Sequence, residues 1–217
     1  MSIVHDGDPT RYIYVDWSNG GGQTQTYTVT GAATVTANFL AQYTLTVASA
    51  HDAPNPSGVT YRDAGSSVTA SVTTPADVVG SMRYRCTGWT GTESVPASGS
   101  TNSVTFTMSA PSTITWDWKT QYLLTIKTSG VGDAIPSKEI TVTVNGVTTD
   151  DYGVTTIDDT YVNGWRKWID DGTSATVSVN DPGGAPNWSM WLDGPTTMSR
   201  TVPISGSLEL LTAKYGT

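Results

Sequence analysis

The chain holds one cysteine, two phenylalanines and two histidines in 217 residues. A single thiol, Cys86, excludes an internal disulfide and a cysteine-based zinc cluster. It is expected to be free and buried. The two histidines, His5 and His51, are each followed by Asp in loop-like sequence and read as solvated turn residues. They offer little to nucleophilic chemistry, which needs a base beside a Ser or Cys. No segment approaches the roughly 20 apolar residues that span a bilayer. The first residues have no apolar signal core, so Met1-Ser2 reads as an artificial start on an excised segment, with any export signal outside it. Charge is also scarce. Asp, Glu, Lys and Arg make up 14% of the chain, against roughly 25% in ordinary soluble domains. The net charge is −8, and the basic residues stand singly apart from Arg166-Lys167. Without clustered cations to neutralise phosphates, nucleic acid is not an expected partner, and neither is an anionic membrane surface.

Thr and Ser fill the place of the missing charges, alongside 8 Trp and 10 Tyr. Thr is β-branched and favours extended backbone, and no helical apolar periodicity is present. The expected class is all-β. Large aromatics supply the material for small cores, each burying on the order of 150–250 Å².

Internal repetition is the strongest signal. Ala33-Thr34-Val35-Thr36-Ala37-Asn38-Phe39-Leu40-Ala41-Gln42-Tyr43-Thr44-Leu45-Thr46-Val47 recurs 79 residues on, from Ser112 to Ile126. The Val35-to-Phe39 strand returns again 176 residues on, as Leu211-Thr212-Ala213-Lys214-Tyr215. Arg11-Tyr12 and Trp17-Ser18 match Arg83-Tyr84 and Trp89-Thr90 at a spacing of 72, with a looser copy at Trp188–Gly194. Tyr61–Val72 matches Trp168–Val179 at a spacing of 107. These blocks divide the chain into three copies. Residues 1–42 form a partial module lacking its first strands, 43–121 a complete module, and 122–217 a divergent module with an insertion. The insertion carries the strand pattern Ile140–Val144 running into the turn signal Asn145-Gly146.

Alternation assigns the faces. In the second copy the inward set is Tyr43, Leu45, Val47, Val68, Ala70, Val72, Tyr84, Cys86, Val104, Phe106, Met108, Ile114, Trp116 and Trp118, with Thr and Ser between them facing water. Short strands with one wet face predict tandem antiparallel β-sandwich modules of immunoglobulin-like proportions. Leu40-Ala41-Gln42 and Lys119-Thr120-Gln121 read as short linkers, which predicts a stiff array.

Tyr43-Thr44-Leu45-Thr46-Val47, Gly65-Ser66-Ser67-Val68-Thr69-Ala70, Gly88-Trp89-Thr90-Gly91, Val104–Met108 and Ile114-Thr115-Trp116 together resemble the divergent InlB B-repeat family. That family's scheme is Y-x-L-T-V, G-x-x-V-T-A, G-W-x-G, V-T-M and I-T-A-x-F. The match covers the second copy and part of the first, where Val15-Asp16-Trp17-Ser18 departs from Gly-Trp-x-Gly. In the third copy it is confined to the Asp171–Val177 strand and the last strand. The resemblance implies a secreted or cell-surface repeat segment, a stalk, spacer or adhesin within a larger protein, with neighbouring modules as partners and no catalytic residues. A non-enzymatic, cofactor-free role is therefore expected.

Three other chemistries have candidate residues. Paired aspartates can supply oxygen ligands for calcium, and Asp150, Asp151, Asp158, Asp159, Asp170 and Asp171 are the candidates, although none has EF-hand spacing and such pairs also favour turns. Trp165, Arg166 and Trp168 form an aromatic-rich stretch in the unrepeated region that could bind a cell-surface glycan by stacking. Finally, the partial first module invites self-association, as a fibre subunit completed by strand exchange.

Overall fold

The computed structural model describes residues 8–129, 138–144, 147–148, 155–157, 165–179, 187–206 and 210–216. Among them there is no helix, and none therefore that is long and apolar enough to cross a membrane. The protein is all-β. The first strands are β1 (Thr10–Trp17), β2 (Ala37–Ser49), β3 (Gly58–Asp63), β4 (Ser67–Ser71) and β5 (Ala76–Val79). Next come β6 (Met82–Gly91), β7 (Ser98–Gly99), β8 (Ser103–Thr107) and β9 (Ser112–Ser129). The remaining strands are β10 (Lys138–Val144), β11 (Val147–Thr148), β12 (Thr155–Ile157), β13 (Trp165–Asp170), β14 (Ser174–Val179), β15 (Asn187–Trp191), β16 (Ser199–Pro203) and β17 (Leu210–Gly216).

Two compact units share the chain. The first comprises Met1–Ala76 with Cys86–Trp118, the second Asp77–Arg85 with Lys119–Thr217. These units do not follow the sequence copies, because a strand from one copy packs with the body of the next. The two triplets expected as linkers are not linkers at all. Leu40-Ala41-Gln42 lies inside β2 and Lys119-Thr120-Gln121 inside β9.

In the first unit β2 is flanked antiparallel by β1, from Thr10↔Tyr43 to Trp17↔Ala37, and by β3, from Gln42↔Asp63 to Val47↔Gly58. The start of β9 adds parallel to β2, from Leu45↔Ser112 to Ser49↔Trp116. β4 and β8 pair in a separate small sheet, with Val68 opposite Phe106. Side chains from both sheets meet in one core that includes Leu45, Val47, Val68, Ala70, Phe106, Met108, Ile114 and Trp116. Cys86 lies in it, as its strand phase predicts.

The second unit repeats the pairings. Ile126↔Leu211 reproduces Val47↔Ile114, and Ala175↔Val202 reproduces Val68↔Phe106. β15 and β17 reproduce β1 and β2, down to the bulge that falls between Trp188 and Met190 in one ladder and between Tyr14 and Asp16 in the other. Its core contains Leu124, Ile126, Ala175, Val177, Trp191, Val202, Ile204 and Leu211. The insertion is accommodated at the free edge of β14, where β10 pairs antiparallel from Ile140↔Val179 to Val144↔Ala175. β10 pairs antiparallel with β11 at Thr143↔Thr148 and Val144↔Val147, and the expected Asn145-Gly146 turn lies outside the described residues.

The expectation of purely antiparallel sheets needs correction, since β2–β9 and β9–β17 are parallel. Alternation reports which face is buried and carries no information on strand direction. A parallel pair needs a long crossover, which the intervening strands of each copy provide. Tyr84 is also less buried than its phase predicts.

Trp89 is packed against the backbone of Gly99, its ladder partner. A Cβ on Gly99 would stand 2.3 Å from the Trp89 ring, whereas one on Gly31 would meet nothing within 4 Å. Gly99→Ala is therefore expected to destabilise the first unit by about 1–3 kcal/mol through overpacking, and Gly31→Ala to leave it unchanged, as measured by urea unfolding.

Candidate functional site

Among the described residues, a row of polar side chains is laid across three adjacent strands in each unit. In the first unit Arg11 on β1, Gln42 on β2 and Asp63 on β3 are directly opposite one another in the ladders. Opposed residues on neighbouring strands project to the same face with their Cβ atoms about 4.5–5.5 Å apart, so the three side chains must meet. Arg11 Nε donates to Gln42 Oε1 at 2.7 Å, and Gln42 Nε2 donates to Asp63 Oδ1 at 2.5 Å. Tyr61, two residues before Asp63, is on the same face and receives the Arg11 guanidinium over its ring at 3.8 Å.

The second unit builds the same row from Arg83, Gln121, Asp170 and Trp168. Arg83 Nε donates to Gln121 Oε1 at 2.8 Å, Gln121 Nε2 donates to Asp170 Oδ1 at 2.7 Å, and the Arg83 guanidinium sits 4.5 Å from the centre of the Trp168 ring. Gln121 is only 6% exposed. Two further cations join here. Arg85 Nη2 donates to Asp170 Oδ2 at 2.8 Å, and Lys119 Nζ stands 3.7 Å from the same oxygen. The corresponding positions of the first unit are Ile13 and Leu40. Burial raises the Asp170 pKa, but the hydrogen bonds from Arg85 and Gln121 and the charges of Arg85 and Lys119 outweigh it and hold the carboxyl below its ordinary 3.8.

Both rows are anchored by the same turn. Asp63 O accepts from Ser66 N and Oγ, and Asp170 O from Thr173 N and Oγ1. Gly65 and Gly172 occupy the left-handed corner at φ 79° and 75°. The Ala64 and Asp171 amides then return to Ala41 O and Thr120 O, both at 2.9 Å.

Among the calcium candidates, Asp170 is thus committed to Arg85, Gln121 and Lys119, and Asp171 is exposed with its Oδ1 accepting from Gly172 N. Asp150, Asp151, Asp158 and Asp159 lie outside the described residues. Among the described residues no three His, Cys, Asp or Glu side chains are grouped closely enough to hold a metal ion. Of the glycan candidates, Trp168 is half-buried beneath Arg83. Trp165 and Arg166 are placed by their backbone opposite Ile126 and Thr125, and their side chains lie outside the described residues. His51 is half-buried, edge-on to Trp118 at 5.7 Å, and His5 lies outside the described residues.

The two glutamines were legible only as linker residues. The signal that would have found them is the recurrence of Arg, Gln and the aromatic-x-Asp pair at three separate spacings, since three blocks that drift independently yet each keep one polar residue imply that those residues touch. No family model, curated protein or solved structure matches the chain.

Removing the buried Gln121 amide takes away a hydrogen-bond partner of both Arg83 and Asp170, each half-buried. Gln121→Ala is expected to cost the second unit about 1–3 kcal/mol in urea unfolding. The Asp170 carboxyl is held low in the folded state, so its ion pairs contribute fully above the unfolded value and are lost as the pH falls through the folded one. Asp170→Asn is expected to cost about 1 kcal/mol at neutral pH, because Arg85 and Lys119 remain partly solvated. The gap between variant and parent should close as the pH falls below 3.8.

Proposed function

We propose that the chain is a structural repeat segment, a stalk, spacer or adhesin portion of an extracellular surface protein built from immunoglobulin-like β-sandwich modules of the InlB B-repeat kind. The observation that carries this reading is the recurrent Arg–Gln–Asp row. It ties the last strands of one sequence copy to the opening strands of the next, which is what a tandem array needs to transmit load from copy to copy. Each unit also closes one core between the β2-type and β4-type strands, in keeping with a sandwich. The row consumes its own polar groups on one another, and the Arg83 guanidinium occupies the Trp168 ring that a sugar would stack upon. Both facts favour a mechanical role over glycan binding.

Pulling the chain from its ends in a force spectrometer should give two discrete unfolding steps, each releasing roughly 3.3–3.6 Å of contour per residue. Gln121→Ala should lower the force of one step and leave the other in place. Featureless extension at low force, or specific binding on a glycan array that Trp168→Ala abolishes, would overturn the reading.

A further inference from the structure

The second row gathers more positive charge than its carboxylate balances. Arg85 Nη2 lies 2.8 Å from Asp170 Oδ2 and Lys119 Nζ 3.7 Å from the same oxygen, so the two cationic heads are no more than 6.5 Å apart. Their side chains are 43% and 49% exposed. The other oxygen, Asp170 Oδ1, accepts from Gln121. Both oxygens are thus engaged, and one negative charge serves two accessible cations within the second unit.

Donor capacity is left over. A guanidinium carries five N–H donors and an ammonium three. Among the described residues Arg85 makes one hydrogen bond, to Asp170, and Lys119, at 3.7 Å, makes none. Arg83, two residues before Arg85 on the same face, is committed to Gln121 and to the Trp168 ring. The row itself does not require the surplus. In the first unit the same Arg–Gln–Asp bonds form with Ile13 and Leu40 at these two positions. Like charges held this close repel each other, so the pair is a cost that the shared frame does without.

We propose that Arg85 and Lys119 form a binding site for a single oxyanion group, a carboxylate, sulfate or phosphate, bridging the guanidinium and the ammonium beside Asp170. Charged donors reach anionic oxygens at about 2.7–2.9 Å, so two heads at this separation can each hold an oxygen of one such group. The planar fork of Arg85 matches that chemistry. The chain's net charge of −8 supplies no long-range attraction for anions, so recognition rests on contact with these two side chains. They stand singly in the sequence and meet only because β6 and β9 are neighbours.

The test is a titration of the full chain with sodium sulfate and, separately, sodium acetate at constant ionic strength, following the Arg85 Nε–H and Lys119 ammonium signals by NMR. Saturable shifts at these two residues are expected, with Arg11 and Arg200 unmoved. Saturation by both salts admits carboxylate-bearing ligands; saturation by sulfate alone restricts the site to tetrahedral groups. Asp170→Asn removes the charge that competes for both cations and should tighten binding at least about tenfold. Arg85→Ile with Lys119→Leu, the residues of the first unit, should abolish saturation. Should that pair prevent folding, Lys119→Gln alone should weaken binding at least about tenfold. Shifts that rise without saturating, or that appear equally at Arg11 and Arg200, would report general screening and overturn the proposal. Unchanged affinity in Asp170→Asn would overturn it as well.

Discussion

A carboxamide placed between a guanidinium and a carboxylate is the interaction on which the rest of this structure turns. An amide side chain offers an acceptor at one end and donors at the other, so Gln42 and Gln121 satisfy Arg Nε and Asp Oδ1 together while adding no charge of their own. The glutamine spreads the two charges over three strands, leaving each cation room to stack on an aromatic ring. It also fixes register, because a slip of one residue in β2 or β9 would send the amide to the opposite face and leave both partners unsatisfied.

The two rows share this design and differ in their surroundings. Where the second unit has Arg85 and Lys119 around Asp170, the first has Ile13, buried, and Leu40. The first row is therefore a neutral-bridged pair beside an apolar neighbour, while the second is a small charge network around one carboxylate. In the second, this crowd of donors and cations draws the Asp170 carboxyl below its ordinary value. The acid sensitivity of Asp170 thus comes from Arg85, Gln121 and Lys119, of which Arg85 and Lys119 are particular to the second unit.

Much of that frame was readable from alternation. Leu45, Val47, Val68, Ala70, Phe106, Met108, Ile114 and Trp116 occupy the core because Thr or Ser separates them along their strands and cannot share their face. Val95 is just as buried, yet sits in a loop where no period marks it. Strand direction was illegible, since a parallel and an antiparallel partner see the same pattern of faces. The glutamines were misread because polar residues between two apolar strands look like a connection. Only the ladder, with Gln42 opposite both Arg11 and Asp63, shows that the chain never leaves its strand there. Trp168 posed the converse difficulty: lack of repetition in its flanks suggested exposure, while its own counterpart, Tyr61, already stood under an arginine.

The unequal spacings between copies follow from the same constraint. Gln42 and Asp63 are 21 residues apart, Gln121 and Asp170 are 49 apart, and both pairs make the same hydrogen bond. Closing the longer loop costs only about 0.8 kcal/mol more by the logarithmic scaling of loop entropy, comparable to a single net hydrogen bond. The added strand β10 offsets that cost by pairing along the edge of β14. An insertion in a connection between strands therefore costs little while the strands that carry the row keep their register. Length can drift between the Arg, Gln and Asp blocks while the contacts among them stay fixed, which is why the repeat is kept as a set of contacts rather than as a constant period.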